Sequence, residues 1–279
     1  MVLESIKIDW IERRPYISFF FGFIYVFSGY FIAGFFFDNV SIPMLFLATL
    51  LIVPSLMKLI EIEEKRESRY GLKHFFKEHK DVIEAYIFLF IGVFAGYVVL
   101  GYMVDSDKFA SIFQFQLNFL REQQGLSKEL IDKFFTSPLQ PSLENVAGVL
   151  QSNLTVMLLS FVLSIFYGVG AIFLITLNAS IFASFIVFVA QYLADKISKI
   201  FMVVGIFMIH MIPEISGFLL AAIAGGVLSK ALMREKFGSQ GFRNVMKDTL
   251  MLLAIACILI LAAAFLEVYV TTYMFHKFV

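Results

Sequence analysis

The chain has few of the residues on which metal clusters, disulfides and most hydrolytic sites depend. Its 279 residues include one cysteine, Cys257, and four histidines. A single cysteine excludes an internal disulfide framework and a cysteine metal cluster. The sequence also has no HExxH pair, no nucleophile elbow and no glycine-rich phosphate loop. We therefore predict that the protein is not an enzyme and carries no cofactor.

Charge is scarce as well. Charged residues make up 16% of the chain, and the formal net charge is zero. No basic run is interleaved with aromatic residues, so nucleic acid is not a predicted partner. Hydrophobic residues reach 60%, with a mean hydropathy of +0.86. This composition is typical of polytopic membrane proteins and predicts one all-α membrane domain over residues 1–279, a multi-pass helical bundle surrounded by lipid in the cell membrane.

Long apolar runs define the predicted spans. Three of them, at residues 16–37, 41–60 and 86–104, approach or exceed the ~20 residues that cross ~30 Å of hydrocarbon. They form a three-span N-terminal part, residues 16–104. Residues 105–152 are polar but keep apolar residues at helical spacing, which predicts an extracytoplasmic helical loop that docks an extracytoplasmic protein partner. Residues 153–279 form the C-terminal core.

The run from Asn153 to Ala190 contains no formal charge. As one helix it would measure roughly 57 Å, nearly twice the hydrocarbon thickness, so it must turn or break, and Gly168 and Gly170 are the predicted break. Two short spans or a re-entrant hairpin at residues 168–170 both satisfy this length. Fifteen lysines and arginines then fall on the side of the N-terminus and seven on the other. The positive-inside rule predicts about seven spans with the N-terminus inside, or five full crossings with the hairpin.

A sequence repeat links the first and third spans. Residues 21–38 and 88–105 are identical at nine of eighteen positions. One hairpin and a loop separate them, so a true repeat would be parallel; chance agreement of two phenylalanine-rich spans is the alternative. Their glycines predict close helix packing and suggest a homodimer. The predicted packing residues are Gly29, Gly34, Gly92, Gly96 and Gly101.

Polar residues inside apolar runs form the candidate site. His210 and Glu214 are one helical turn apart in the run from Ile206 to Lys230, and Glu267 lies in the last span. Such residues are costly in hydrocarbon and usually face other helices or a pathway. We predict an intramembrane polar site with His210 bonded to Glu214, interhelical ties from Asn153 and Asn178, and a helix break at Pro213. Two ligands at helical spacing without a third do not predict a metal site.

Three blocks resemble the stage II sporulation protein M family: SNLTVMLLSFVLSIFYGVGAIFLITLNA, HMIPEISGFLLAAIAGGVL and ILILAAAFLEVYVT. The resemblance covers the half of the chain from Asn153 onward. The matching family positions are Asn153, Gly168, Gly170, Asn178, His210, Glu214 and Glu267. Ile209 and Met211 depart from the family's usual proline and glycine, and a proline stands instead at Pro213.

The resemblance implies a polytopic, non-catalytic membrane protein, whose relative in spore-forming bacteria works with cell-wall hydrolases during engulfment. Two functions follow as hypotheses. The first is a scaffold that remodels the membrane or organises partners. The alternative is a transporter, channel or lipid-moving protein that uses buried Glu214 and Glu267.

Overall fold

The computed structural model describes residues 14–70, 80–124, 141–167, 170–192 and 197–278. Within these ranges the regular structure is entirely helical, which confirms the all-α prediction. Ten α-helices and one π-helical turn follow in chain order: α1 (Ile17–Phe36), α2 (Ser41–Tyr70), α3 (Lys80–Met103), α4 (Ser106–Ile112), α5 (Gln114–Gln124), α6 (Leu143–Tyr167), α7 (Gly170–Tyr192), α8 (Ile197–Arg234), α9 (Gln240–Phe265), the π-turn (Leu266–Thr271) and α10 (Thr272–Phe278).

The helices are long enough for a polytopic bundle. Six candidate spans are formed by α1, α3, α6, α7, α8 and α9 with its continuation. Helix α2 is a seventh if its two halves, bent by 41° beside Pro54, count as one span. This bend follows from the missing amide hydrogen and the ring clash of proline in a helix interior.

Two separate helices occupy the long uncharged run. Helix α6 begins at Leu143, well before Asn153, and α7 begins at Gly170. Each is long and apolar enough to cross a membrane by itself. These lengths favour two crossings over a re-entrant hairpin. Gly168, the other half of the predicted break, lies outside the described residues.

Glycines bring α1 and α3 into close parallel contact. A Cβ on Gly22 would lie 2.7 Å from the Leu89 carbonyl oxygen, and one on Gly92 would overlap the backbone of Phe19. Further along both helices, Gly96 packs against Val26. The residue numbers of the contacting positions increase together along the two helices, so the repeated segments run in the same direction.

The other glycines of the repeat have different neighbours. Gly29 packs against Ala48 of α2, and Gly101 packs against Val187 of α7. Among the described residues, by contrast, no atom lies within 4 Å of a Cβ added to Gly34, so no neighbouring helix packs against this glycine there. It lies near the end of α1, where Phe35 is also exposed and the neighbouring helices no longer cover this face.

The segment after α3 folds back onto the bundle. Asp105 caps α4 by accepting a hydrogen bond of 2.9 Å from the Lys108 amide, and this bond lowers the pKa of the Asp105 carboxyl. In α5, buried Gln116 accepts a hydrogen bond from Ser41 at 3.3 Å and donates one to Ser180 at 3.2 Å. Residues 105–124 are therefore partly packed on the bundle, and residues 125–140 lie outside the described ranges. Docking of a partner by residues 105–152 stays a prediction.

Charged and polar contacts join three helices at the opposite end. Arg234 of α8 forms ion pairs with Glu61 and Glu64 of α2, the latter at 3.3 Å. Asn244 of α9 donates a hydrogen bond of 3.2 Å to the Ser68 carbonyl oxygen. These residues belong to segments that the charge count places in the cytoplasm. The two polar ends of the bundle are thus consistent with the predicted topology.

Helix α8 forms the centre of the core. Residues 217–228 are all buried, and the Ser164 hydroxyl of α6 donates a hydrogen bond of 2.7 Å to the Ala222 carbonyl oxygen. Gly225 permits this approach, because a Cβ there would overlap the Phe161 carbonyl. The helix continues through Pro213, where a break was predicted. Proline is tolerated inside a packed membrane helix because only one backbone hydrogen bond is lost and its neighbours hold the helix in place.

Candidate intramembrane polar site

His210 and Glu214 lie on the buried face of α8. They are separated by one helical turn, which places their side chains on the same side of the helix. His210 is 6% exposed and Glu214 is 8% exposed. Burial of this degree inside an apolar bundle is rare for ionisable side chains and marks a functional candidate.

The π-turn presents Glu267 from the neighbouring segment. Helix α9 ends at Phe265, and residues Leu266–Thr271 continue it in the wider π geometry. The Thr272 hydroxyl donates a hydrogen bond of 3.1 Å to the Glu267 carbonyl oxygen within this turn. Short π-helical segments change the angular position of side chains relative to an α-helix and are frequent at functional sites. Here the turn places both Glu267 and Thr271 beside α8.

The three ionisable side chains meet in one cluster. A ligand atom from each of His210, Glu214 and Glu267 lies within 4.8 Å of the other two. His210 Nδ1 shares a hydrogen bond of 2.9 Å with Thr271 Oγ1. The predicted bond from His210 to Glu214 is therefore replaced by one to the π-turn, because Thr271 comes within bonding distance of the imidazole.

Apolar side chains surround this cluster. The Phe207 ring lies 5.7 Å from the His210 ring, measured between centroids, and also contacts Phe275 at 6.1 Å. Met211, next to His210 in the chain, is buried. Electrostatic interactions are strengthened in such a water-poor environment.

The carboxylates differ from the imidazole in their bonding. Within the described ranges, no hydrogen-bond donor reaches the side-chain oxygens of Glu214 or Glu267. Two carboxylates this close in a low-dielectric site cannot both be charged unless a cation binds beside them. Without a cation, one of them carries a proton. One imidazole nitrogen and two carboxylates are also a donor set suitable for a metal ion.

The two asparagines do not belong to this cluster. The Asn153 side-chain nitrogen is buried without a hydrogen-bond partner, and Asn178 makes no side-chain hydrogen bond within the described part of the chain. Hydroxyl groups provide ties between helices instead, as between Ser229 and the Ile165 carbonyl oxygen at 2.7 Å. Short serine side chains reach a neighbouring backbone that glycine and alanine have allowed to come close.

Sequence reasoning did not assign a role to Thr271 or detect the π-turn. A usable signal was present, since Thr271 follows Glu267 by four residues, which places both on the same face of a helix. What the spacing did not show was the widened turn that carries both residues to α8.

Comparison with known protein families gives one match. The profile of the family described as stage II sporulation protein M matches residues 85–272, which extends the resemblance seen from Asn153 onward back to the start of α3. This match includes His210, Glu214, Glu267 and Thr271. No curated protein and no solved structure matches the chain. Because the family profile covers well over half of the sequence, the protein belongs to the stage II sporulation protein M family.

Proposed function

We propose that this membrane protein moves a cation, including a proton as the smallest case, through a pathway that passes the cluster of His210, Glu214 and Glu267. The observation that carries the proposal is the convergence of two carboxylates from different segments on one imidazole within 4.8 Å inside the bundle. Buried acids in membrane helices commonly mark ion pathways and proton relays.

A purely structural tie between helices explains this geometry less well. Acids that lock two helices together would bond to each other or to a donor on the opposite helix. In the described residues neither carboxylate does so, and the tie between α8 and the π-turn is made by His210 and Thr271. The carboxylates are therefore available for an exchangeable ion.

The depth of the cluster also suits a pathway. Gly226 of α8 contacts Ile60 of α2, which lies between Lys58 and Glu61 at the start of the charged part of that helix. Glu214 lies about 18 Å further along α8, at ~1.5 Å per residue. It thus falls inside the hydrocarbon thickness, closer to the side that the charge count assigns to the exterior.

A scaffold function is the second candidate, and exposed apolar surface on α6 supports it. Leu158 and Phe166 are exposed, the latter by 74%, and Leu143 is exposed at the start of the helix. This face can bind lipid, a second copy of the chain or another membrane protein. Membership of a family named for sporulation is compatible with such an organising role.

Flux measurements on the full chain in liposomes test the transport proposal. We expect Glu214→Gln and Glu267→Gln each to reduce cation- or proton-driven flux at least tenfold, because each substitution removes a charge that the moving ion would neutralise. Glu144→Gln, at an exposed acid of α6, is the matched control and should keep wild-type flux.

The same set of variants separates the two functions. A wild-type protein without flux above empty liposomes, or a Glu214→Gln variant with unchanged flux, would overturn the transport proposal. Capture of a membrane or extracytoplasmic partner that is unaffected by both glutamine substitutions would then favour the scaffold.

A further inference from the structure

We infer that the cluster of His210, Glu214 and Glu267 binds one divalent transition-metal ion, such as Zn²⁺ or Mn²⁺. This inference deepens the proposed function, on which it rests, by naming the class of cation. The sequence presented only two ligands at helical spacing, and the π-turn supplies the third.

Charge balance favours a dication. Two ionised carboxylates carry a charge of −2, and a neutral imidazole adds none. A divalent ion makes the site neutral as a whole, which removes most of the cost of placing these acids in a low-dielectric interior. A monovalent ion would leave one negative charge uncompensated.

The hydrogen bond to Thr271 prepares the histidine as a ligand. His210 Nδ1 is engaged with Thr271 Oγ1 at 2.9 Å, so Nε2 is the nitrogen left for coordination. Metal-binding histidines characteristically use their second nitrogen in this way, which holds the ring in place and selects the tautomer. Thr271 therefore acts as a positioning residue and does not itself bind the metal.

Glu214 provides an independent indication of a ligand. It is more than nine-tenths buried, faces the cluster and has no hydrogen-bond donor within the described ranges. A buried carboxylate without a partner is costly, and a bound cation would satisfy it. Glu214 lies in the interior of α8, away from the ends of the helix and from the surface of the bundle.

The distances permit coordination after small side-chain movements. Ligand atoms around a four-coordinate Zn²⁺ are roughly 3.4 Å apart, given metal–ligand bonds of about 2.1 Å. The present separations reach up to 4.8 Å. Rotation about the glutamate side-chain torsions can close such a difference without moving the helices.

The donor types indicate which ions are preferred. Mg²⁺ and Ca²⁺ select oxygen ligands and higher coordination numbers, whereas an imidazole combined with carboxylates suits Zn²⁺, Mn²⁺ or Fe²⁺. Three protein ligands leave a further coordination position for water or for exchange with the next site on a pathway.

Metal binding can be measured directly on the purified full chain in detergent. We expect titration calorimetry with ZnCl₂ and with MnCl₂, together with elemental analysis after desalting, to give one ion per chain for at least one of the two metals. His210→Ala, Glu214→Gln and Glu267→Gln should each weaken binding at least tenfold. Glu144→Gln should bind like the wild type, and Thr271→Val should weaken binding without abolishing it.

Thermal unfolding of the metal-free proteins separates loss of the metal site from loss of the fold. Variants that unfold like the wild type but lose the ion support the site, whereas a wild type that binds neither metal, or cluster variants that bind as well as the wild type, would overturn it. Metal binding without flux would refute the transport proposal and leave the site intact. Flux without binding of either metal would identify a proton or a monovalent cation as the moving ion and refute the metal inference.

Discussion

The pairing of His210 with Thr271 is the contact at the residue scale that organises the site. It joins α8 to the π-turn across a buried boundary at 2.9 Å. The two glutamates lie beside this pair without hydrogen-bond donors of their own in the described part of the chain. This pair adds a hydrogen bond to the packing of Gly217 of α8 against Ile260 of α9, and neither glutamate takes part in it.

Replacing Thr271 with valine measures how much the hydrogen bond to His210 stabilises the fold. The substitution preserves side-chain shape and removes the hydroxyl. We expect the free energy of unfolding to fall by about 0.6 kcal/mol, the average for hydrogen bonds between membrane helices, and by no more than about 1.7 kcal/mol, the largest value among them. Reversible unfolding in mixed detergent micelles provides the measurement.

Thr155→Val is the matched control for this prediction. Thr155 is exposed on α6, and within the described ranges its hydroxyl bonds to the Gln151 carbonyl oxygen of the same helix and to no other helix. The control should change the free energy of unfolding by less than the Thr271 substitution does. Equal effects of the two substitutions would show that the bond to His210 makes no particular contribution.

At the scale of single elements, small residues determine which helices touch. Gly22 and Gly92 bring the backbones of α1 and α3 together, and Gly225 does the same for α8 and α6. Association of helices in lipid depends on such close contact, because lipid chains are as apolar as the side chains that they would replace. The glycine pattern therefore controls pairing more directly than hydrophobicity does.

Alanine substitutions at one glycine of α3 and one of α1 should differ in their effect on the stability of the fold. Gly92→Ala should destabilise the fold by about 1 to 3 kcal/mol, because the new Cβ overlaps the backbone of Phe19, which cannot move aside like a flexible side chain. Gly34→Ala should be neutral or stabilise by up to about 1 kcal/mol, since its Cβ meets no atom within 4 Å and alanine favours the helix.

Thermal unfolding of the two alanine variants in the same detergent measures this difference. The Gly34 variant serves as the control for any general effect of alanine on helix propensity. A Gly92→Ala protein as stable as the wild type would mean that α1 and α3 are not in close contact.

At the scale of the whole molecule, two sets of polar contacts mark opposite ends of the bundle. Ser41 and Gln116 bond at one end, and Arg234 pairs with Glu61 and Glu64 at the other. The helices between them are long enough to cross a bilayer. This arrangement predicts that Ser41 and Gln116 lie near one side of the membrane and Arg234 near the other.

Cysteine labelling in intact cells tests the orientation. In a Cys257→Ser background, single cysteines replace Asp107, in the first turn of α4, and Lys236, between α8 and α9, both of which are exposed. A membrane-impermeant maleimide should label position 107 from outside and position 236 only after permeabilisation, because excess lysine and arginine keeps the latter segment inside. The reverse pattern would place the N-terminus outside, and labelling of both positions from outside would contradict the topology.

Much of the architecture could be predicted because hydropathy and charge act locally. A run of apolar residues must form a helix in lipid to satisfy its own backbone groups, so the all-α fold and most spans follow from composition and length. The start of α6 was harder to place, because residues 143–152 are polar enough for water and yet continue the helix into the apolar run.

The amino-acid sequence by itself determined that this protein is a helical membrane protein with His210, Glu214 and Glu267 in apolar segments. Only the tertiary structure decided that these three meet, that Thr271 is the partner of His210 and that Gly34 faces open space. The physical reason is that helical periodicity is set by neighbours along the chain. Contact between distant segments depends instead on how closely glycines let backbones approach and on one widened turn, and neither is visible in the spacing of residues.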